Sequence, residues 1–269
     1  MADPPTLVIF GVPLISKAAA TDWGLVNWQF AATLGSLAGQ TSRNFLILVA
    51  GTDEPETPGP AGIRYEFIKC PDLANGTVGT KRQDMEAKRI ALASRSRDLG
   101  GGYLMFVDAD DLVSSRLVEY VDKNPHRNGY LAATGYILHA GTGDIAPYPM
   151  PGFRKPLDAI CGTSSVVRLS PDELPDGSGK PAFFHQLFGK GHFLLRNQAC
   201  ESNRPLADFP FRAVVYVRGT GIHLSASSDN LALAIERYAL LEDSVARNRI
   251  ARGRELDAEF NLRAAEAMR

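Results

Sequence analysis

Three acidic residues stand together near the middle of the chain, directly after an apolar run. Asp108, Asp110 and Asp111 follow the segment 103–107, which reads Tyr-Leu-Met-Phe-Val. Like charges packed this closely repel each other, and a hard divalent cation such as Mg²⁺ or Mn²⁺ compensates them because it prefers oxygen ligands. Asp108 and Asp110 project to the same side of an extended backbone, whereas Asp111 could instead cap the helix predicted over 114–123. The pattern predicts a metal site, with a solvated acidic turn as the alternative.

The elements that must position these carboxylates alternate between strand-like and helix-like segments. Apolar runs predict strands over 6–13, 45–50, 63–69 and 103–107, and apolar residues at three- and four-residue spacing predict a helix over 22–38. The basic stretch 81–99 is predicted to be a second helix, which three glycines at 100–102 end. This order predicts an α/β fold with a mostly parallel sheet covered by helices. Ligands bind beyond the carboxyl ends of the strands in such sheets. The polar residues after Pro13, Ala50 and Val107 should therefore share one crevice.

The second half of the chain has a different character. Strands are predicted over 128–139, 160–168 and 213–217, a helix over 181–200, and an irregular, glycine- and proline-rich loop over 140–156. From about residue 230 the chain is rich in Ala, Leu, Glu and Arg at helical spacing. This last region is predicted to be a helical tail that packs on its own domain.

Composition narrows the class of protein. The 269 residues are 45% hydrophobic and 22% charged, which is ordinary for a globular chain, and the net charge of −1 gives no support for nucleic-acid binding. The three widely spaced cysteines fit neither a disulfide framework nor a zinc cluster, and we expect them to be buried.

No apolar run approaches the ~18 residues of a membrane span, and the stretch 7–15 is a poor signal peptide because no Lys or Arg precedes it. A cytoplasmic location is the default expectation, with peripheral contact at the inner membrane face left open.

The strand that ends in Asp-Ala-Asp-Asp, after an N-terminal strand–helix–strand, resembles the GT-A glycosyltransferases and, within them, the family 2 type. The segments 6–16, 36–41 and 45–51 look like the opening of that family, so the resemblance covers roughly residues 6–120 and continues loosely to about 225. It implies one GT-A-like catalytic domain over 1–225, with a Rossmann-like nucleotide-sugar half over 6–120 and an acceptor half over 121–225. The remaining residues, 226–269, form the predicted tail.

The resemblance also implies roles for the acidic motif. In such enzymes the Asp-x-Asp motif holds a metal that bridges the diphosphate of a nucleotide-sugar. Asp108 is thereby implied to contact the nucleotide ribose or the metal, with Ala109 beside the nucleotide, and Asp110 is implied to be a metal ligand. Mn²⁺ or Mg²⁺ is the implied cofactor.

Other residues are implied to surround the donor. Pro13 and Ile15, after the first strand, and Asp53, after the second, are implied to border the nucleoside. Lys81 lies in a stretch that approaches the donor in this fold, where a cation could neutralise phosphate oxygens. The alternative for Lys81 is a solvated helix face, because basic residues continue along the same helix as Lys88, Arg89, Arg95 and Arg97.

A late histidine and an unassigned base complete the predicted site. Many GT-A enzymes supply a further metal ligand from a late segment, and His223, in a glycine-flanked stretch after the last strand, suits that role or is an exposed loop histidine. Inverting family 2 enzymes often carry a Glu-Asp pair as base, which is missing in the corresponding interval here. The candidates are Asp208 and the two histidines His185 and His192, which lie seven residues apart on the predicted helix. The anomeric outcome therefore stays open.

These features together predict a metal-dependent transferase that moves a single sugar from a nucleotide-sugar, UDP-linked by analogy, to a glycan or small-molecule acceptor. The Gln-x-x-Arg-Trp motif of processive synthases is missing, which favours single-sugar transfer. Two other classes remain open. One is a phosphatase of the haloacid-dehalogenase type, in which the first Asp of a similar motif is a nucleophile. The other is a nucleotide-sugar or glycan-binding module without turnover.

Overall fold

The structure is a computed structural model that describes residues 6–56, 65–73, 78–178, 180, 182–219 and 231–263. Within these residues the chain folds into two sheets with helices packed around them. The strands are β1 (Val8–Pro13), β2 (Phe45–Gly51), β3 (Glu66–Lys69), β4 (Gly102–Phe106), β5 (Leu112–Val113), β6 (Gly129–Leu131), β7 (Gly135–His139), β8 (Ile145–Tyr148), β9 (Ser165–Leu169), β10 (Ala207–Asp208) and β11 (Val214–Arg218). The helices are α1 (Trp23–Ala38), α2 (Val78–Asp98), α3 (Leu117–Lys123), α4 (Phe183–Phe188), α5 (His192–Glu201), α6 (Leu231–Arg247) and α7 (Arg254–Phe260).

The larger sheet has seven strands in the described residues, in the order β10-β6-β9-β4-β1-β2-β3. Its β4-β1-β2-β3 part is parallel, and β9 runs antiparallel to both of its neighbours. The predicted α/β class with a mostly parallel sheet is thus confirmed, and the antiparallel β9 makes the sheet mixed. Because β2, β1 and β4 are adjacent and parallel, their carboxyl ends lie side by side at one edge, as the strand pattern predicts.

Helices cover both faces of this sheet because each central strand is apolar on both sides. Phe10 of β1 belongs to one buried cluster with Phe30 of α1, whereas the next residue along the strand, Ile9, belongs to a second cluster with Leu92 of α2. Successive side chains of a strand point to opposite faces, so α1 and α2 lie on opposite sides. Either Thr21 or Asp22 suits the N-cap of α1 by residue type, and the structure places Asp22 there, with its carboxylate accepting a hydrogen bond from Leu25 N at 2.9 Å.

The smaller sheet corrects two predictions. Its strand order is β5-β11-β7-β8, so the segment predicted as one strand over 128–139 is two strands in different sheets, and β8 lies within the segment predicted as a loop over 140–156. The chain crosses between the sheets at residues 132–134. Gly135 permits this crossing, because a Cβ there would lie 2.6 Å from the carbonyl oxygen of Val214. That constraint comes from a distant strand and is invisible in the local pattern.

The helix predicted over 181–200 is also wrong as a single element. It is divided into α4 and α5 by the segment 189–191, which reads Gly-Lys-Gly. Gly191 has a φ of +92°, a backbone conformation that favours glycine, and directly precedes α5. His185 and His192 therefore lie on different helices, and their seven-residue spacing does not place them on one face.

The C-terminal region packs closely on the rest of the chain. Phe260 and Leu262 are fully buried in one cluster with Leu138 and Val215 of the smaller sheet, and Ser115 N donates to the carbonyl oxygen of Glu259 at 2.9 Å. The division into a catalytic domain and a tail stays a prediction. Among the described helices, none combines the length and the apolar character that a membrane crossing requires.

Candidate active site

Two loops are hydrogen-bonded to each other at the carboxyl ends of the central strands β1 and β2. Leu14 N, just after β1, donates to the carbonyl oxygen of Ala50 at 2.8 Å, and Lys17 N donates to Asp53 Oδ2 at 2.7 Å. Asp53 thereby holds the loop after β1 against the loop after β2. Pro13 and Ile15 lie at this edge, and both are half-buried. These three predicted nucleoside-side residues are therefore brought to one place, with the Asp53 carboxylate already accepting a backbone hydrogen bond.

Asp108 lies at the carboxyl end of β4 with an accessible carboxylate. Its side chain is 34% exposed, and its backbone N–H donates to Thr163 Oγ1 at 2.9 Å. A Cβ on Gly162 would lie 2.5 Å from Asp108 Oδ2. The absence of a side chain at Gly162 thus leaves room for the Asp108 carboxylate, which is available to a ligand.

Asp111 has a different role from the predicted helix cap, which is wrong. The residue is fully buried, and its carboxylate accepts hydrogen bonds from Thr163 Oγ1 at 2.6 Å, Val217 N at 2.9 Å and Cys161 Sγ at 3.4 Å. Burial, with the charges of Asp110 and Asp108, raises the pKa of Asp111 well above its usual range. Helix α3 begins later, at Leu117, without a side-chain cap. Asp111 therefore joins the β4 turn to β11 and to the segment before β9.

Asp110, the middle acidic residue of the turn, is within electrostatic reach of Asp108 and of Arg218 at the end of β11. Burial and the Asp108 charge raise the pKa of Asp110 to about 7, and the Arg218 guanidinium opposes that rise. Arg218 is itself buried, and its Nη1 donates to the hydroxyl of Tyr216 at 3.1 Å. Sequence analysis missed Arg218, although its position at the end of an apolar strand was a usable signal.

Arg89 is a second cation that sequence analysis missed. Its Nη2 lies 3.6 Å from Asp108 Oδ1, and its guanidinium lies over the Phe106 ring at 5.4 Å from the centroid. The interpretation of this helix as a solvated basic face is wrong here. Lys88 is 1% exposed and its Nζ pairs with Asp84 at 2.5 Å. Leu92, one turn along α2 and fully buried, was the signal that this face of the helix points inward.

The predicted donor-side cation, Lys81, lies near the start of α2 and is half-buried. It is on the same helix as Arg89, two turns earlier. No hydrogen bond or ion pair of Lys81 is found in the described part of the chain. Lys81 stays a candidate for the donor side, and Arg89 is the residue of this helix that reaches the acidic turn.

His192, the first residue of α5, is a candidate base that interacts electrostatically with the acidic turn. The residue is half-buried, and this burial lowers the pKa of its imidazole. The negative charges of Asp108 and Asp158 raise that pKa, whereas the positive charge of Arg89 lowers it further. His192 therefore lies within electrostatic reach of Asp108. His185 instead accepts a hydrogen bond from Ala182 N at its Nδ1, 3.0 Å away, at the start of α4.

The third candidate base, Asp208, belongs to an ion-pair network. Arg196 of α5 donates to both carboxylate oxygens of the buried Asp158, at 3.0 and 2.8 Å, and to Asp208 at 2.7 Å. The Asp208 side chain is 52% exposed. This network ties α5, and with it His192, to the segment that leads into Gly162.

The acidic turn fits a divalent cation. Asp108 and Asp110 supply hard oxygen donors, and Mg²⁺ is commonly held by one or two carboxylates together with substrate phosphates. Over the ranges that the structure describes, no three His, Cys, Asp or Glu side chains come together as a ready metal site. The predicted late ligand, His223, lies outside the described residues. The donor set therefore suits a cation whose remaining ligands come from phosphate and water.

Comparisons with known proteins give matches among solved structures, and none among family models or curated proteins. Among solved structures, a crystal structure from Desulfovibrio desulfuricans G20, described as a "putative nucleotide-diphospho-sugar transferase", is similar over 88% of this chain and 97% of that one. The two are 10% identical in sequence with a TM-score of 0.39. A likeness at this level carries no conclusion about activity.

Proposed function

We propose that this protein is a glycosyltransferase that moves one sugar from a nucleotide-sugar, with uridine diphosphate as the first carrier to test, to an acceptor hydroxyl. The observation that carries the proposal is the placement of Asp108. Its accessible carboxylate lies at the carboxyl end of β4, in line with the joined loops after β1 and β2. Ligands of open α/β sheets bind in this crevice.

The residues around the crevice divide the work of binding. Pro13, Ile15 and Asp53 would border the nucleoside, while Asp108 and Asp110 would hold Mn²⁺ or Mg²⁺ against the diphosphate. A bound cation of this kind neutralises charge that develops on the departing diphosphate. Arg89, whose guanidinium lies beside Asp108, adds a positive charge on the same side of the crevice.

His192 would serve as the general base. A neutral imidazole accepts a proton near neutral pH, and the burial that lowers the pKa of His192 favours the neutral form. In the reaction the acceptor oxygen forms a bond to the anomeric carbon while its proton moves to a ring nitrogen of His192. The bond between the anomeric carbon and the phosphate oxygen breaks, and its electron pair leaves with the nucleoside diphosphate.

A thermal-shift panel of nucleoside diphosphates, each with and without Mn²⁺, tests the proposal. A diphosphate that binds the folded state raises the melting temperature, and we expect a Mn²⁺-dependent rise of several degrees with UDP. The rise should disappear in Asp110→Asn and persist in Asp98→Asn, which removes an exposed carboxylate at the end of α2. UDP-sugars that raise the melting temperature are then assayed for release of UDP.

Two results would contradict the proposal and favour the other classes. An aspartyl-phosphate trapped on Asp108 with a phosphoryl donor would indicate a phosphatase. Binding of UDP-sugars with neither hydrolysis nor transfer to any acceptor, under conditions that bind Mn²⁺, would indicate a binding module.

A further inference from the structure

Arg89 lies next to Asp108, but the pair does not satisfy all the hydrogen-bond donors of its guanidinium. The 3.6 Å between Arg89 Nη2 and Asp108 Oδ1 is within ion-pair range but longer than a hydrogen bond. The Nε–H of Arg89 is buried and has no hydrogen-bond partner among the described residues. A buried donor without an acceptor lowers stability. The guanidinium thus retains hydrogen-bonding capacity next to the proposed diphosphate site.

The position of Arg89 also weakens the binding of a divalent cation to the acidic turn when no diphosphate is present. With Arg89 beside it, the Asp108 carboxylate is already compensated, and a divalent cation at Asp108 would lie close to a like charge. Only 14% of the Arg89 side chain is exposed, so solvent screens this repulsion weakly. The buried guanidinium of Arg218 acts electrostatically in the same sense on Asp110.

We infer that Arg89 couples the binding of the cation to the binding of the diphosphate. In the free protein its guanidinium pairs with Asp108. When both ligands are present it donates to a diphosphate oxygen, the kind of acceptor that arginine binds most strongly, and Asp108 is released to the cation. The inference rests on the proposed function, because it takes the diphosphate and the cation as the ligands of this site.

The coupling is reciprocal. If UDP tightens the binding of Mn²⁺ by some factor, Mn²⁺ tightens the binding of UDP by the same factor. Arg89 contributes to this factor because it pairs with the Asp108 carboxylate in the free protein and with the diphosphate in the complex. Removing Arg89 should therefore strengthen binding of Mn²⁺ alone and weaken binding of UDP alone.

Equilibrium binding to the full chain tests this without any turnover. Three titrations are made on wild type, Arg89→Gln and Arg95→Gln: Mn²⁺ alone, UDP alone in EDTA, and Mn²⁺ with saturating UDP. The last is corrected for the Mn²⁺–UDP complex that forms free in solution. Arg95→Gln is the matched control, since Arg95 lies on the same helix and pairs with Glu66 at 2.7 Å, away from the acidic turn. We expect UDP to tighten Mn²⁺ about tenfold or more in wild type and in the control. In Arg89→Gln, Mn²⁺ alone should bind about tenfold more tightly and the coupling factor should fall about tenfold below the wild-type value; any coupling left over comes from direct contact between the cation and the diphosphate.

The outcomes separate the inference from the proposed function. If wild type shows the coupling and Arg89→Gln binds Mn²⁺ alone no more tightly than wild type, the inference is wrong and the proposed function stands. If wild type binds neither Mn²⁺ nor UDP, both are wrong. Should the glutamine variant fail to fold, Arg89→Lys takes its place. Lysine keeps the charge, so its Mn²⁺ affinity should stay within about threefold of wild type; a tenfold gain would overturn the charge argument.

Discussion

The acidic turn has an inner and an outer side that use the same residue type differently. On the inner side, Asp111 is fully buried and accepts hydrogen bonds from Thr163 and Val217. On the outer side, Asp108 is 34% exposed and faces Arg89 across 3.6 Å. A carboxylate surrounded by donors from distant segments stabilises the fold, whereas one left accessible can bind a ligand. The neighbours of each carboxylate, rather than its place in the motif, determine its role.

One hydroxyl group joins the two sides. Thr163 Oγ1 accepts from the backbone N–H of Asp108 and donates to the carboxylate of Asp111. The rigidity of the inner side thus holds the outer carboxylate in place. Variants of the two sides should separate loss of activity from loss of stability.

The largest effect is expected on the outer side. Asp108→Asn removes the charge that would hold the cation, and losing one such electrostatic contact typically costs about 10³-fold in rate. Its free energy of unfolding should stay within about 1 kcal/mol of wild type because the side chain is partly exposed. Initial rates of UDP release and urea unfolding check the two statements. A variant that is unstable but fully active when folded would reverse the assignment of the two sides.

The inner side should show the opposite result. Asp111→Ala leaves the Thr163 hydroxyl and the Val217 N–H buried without their acceptor, which should lower the free energy of unfolding by about 3 kcal/mol. Asp111→Asn retains one acceptor oxygen and should lose less. Urea unfolding of the three proteins measures the difference. Equal stability of the alanine variant and wild type would show that the inner carboxylate has no structural role.

The first half of the chain was largely predictable from the sequence. Buried strands such as 45–50 and 103–107 are short, continuous apolar runs, and their alternation with helices determines a parallel sheet. The crevice follows, because parallel neighbours end at the same edge. The Asp22 cap of α1 was predictable for a local reason, since its partner lies three residues away.

The second half depends on contacts that sequence does not reveal. The carbonyl group of Val214 requires a glycine at position 135, where the chain passes between the two sheets, and the Val217 N–H is one of the donors that make Asp111 structural. Both partners lie far along the chain. Cys200 is exposed rather than buried as expected. The division between α4 and α5 was accessible, because Gly189 and Gly191 flank a single lysine within the segment predicted as helical. The two glycines were a local signal for the end of a helix, and the prediction of one helix over 181–200 did not take them into account.

The two histidines extend the comparison from the turn to its surroundings. His192 lies within electrostatic reach of Asp108, whereas His185 accepts a backbone hydrogen bond from Ala182. His192→Ala should lower kcat about 100-fold through loss of the general base, with little change in the KM for the donor. His185→Ala should leave kcat within a few-fold of wild type. Steady-state kinetics on both variants decide this, and equal losses in the two would remove His192 from the proposed role.

The smallest effect is expected at Asp208, the third predicted base. Its half-exposed carboxylate takes one of the three hydrogen bonds of Arg196, and Asp158 accepts the other two from a buried position. In Asp208→Asn, Arg196 keeps its bidentate partner, so the unfolding free energy should change by about 0.5 kcal/mol or less. Catalytic rate should stay within about twofold, because α5 and His192 remain tied to the segment before Gly162. A 100-fold loss of kcat in a stably folded Asp208→Asn would instead make Asp208 the base and place the acceptor beside Asp208.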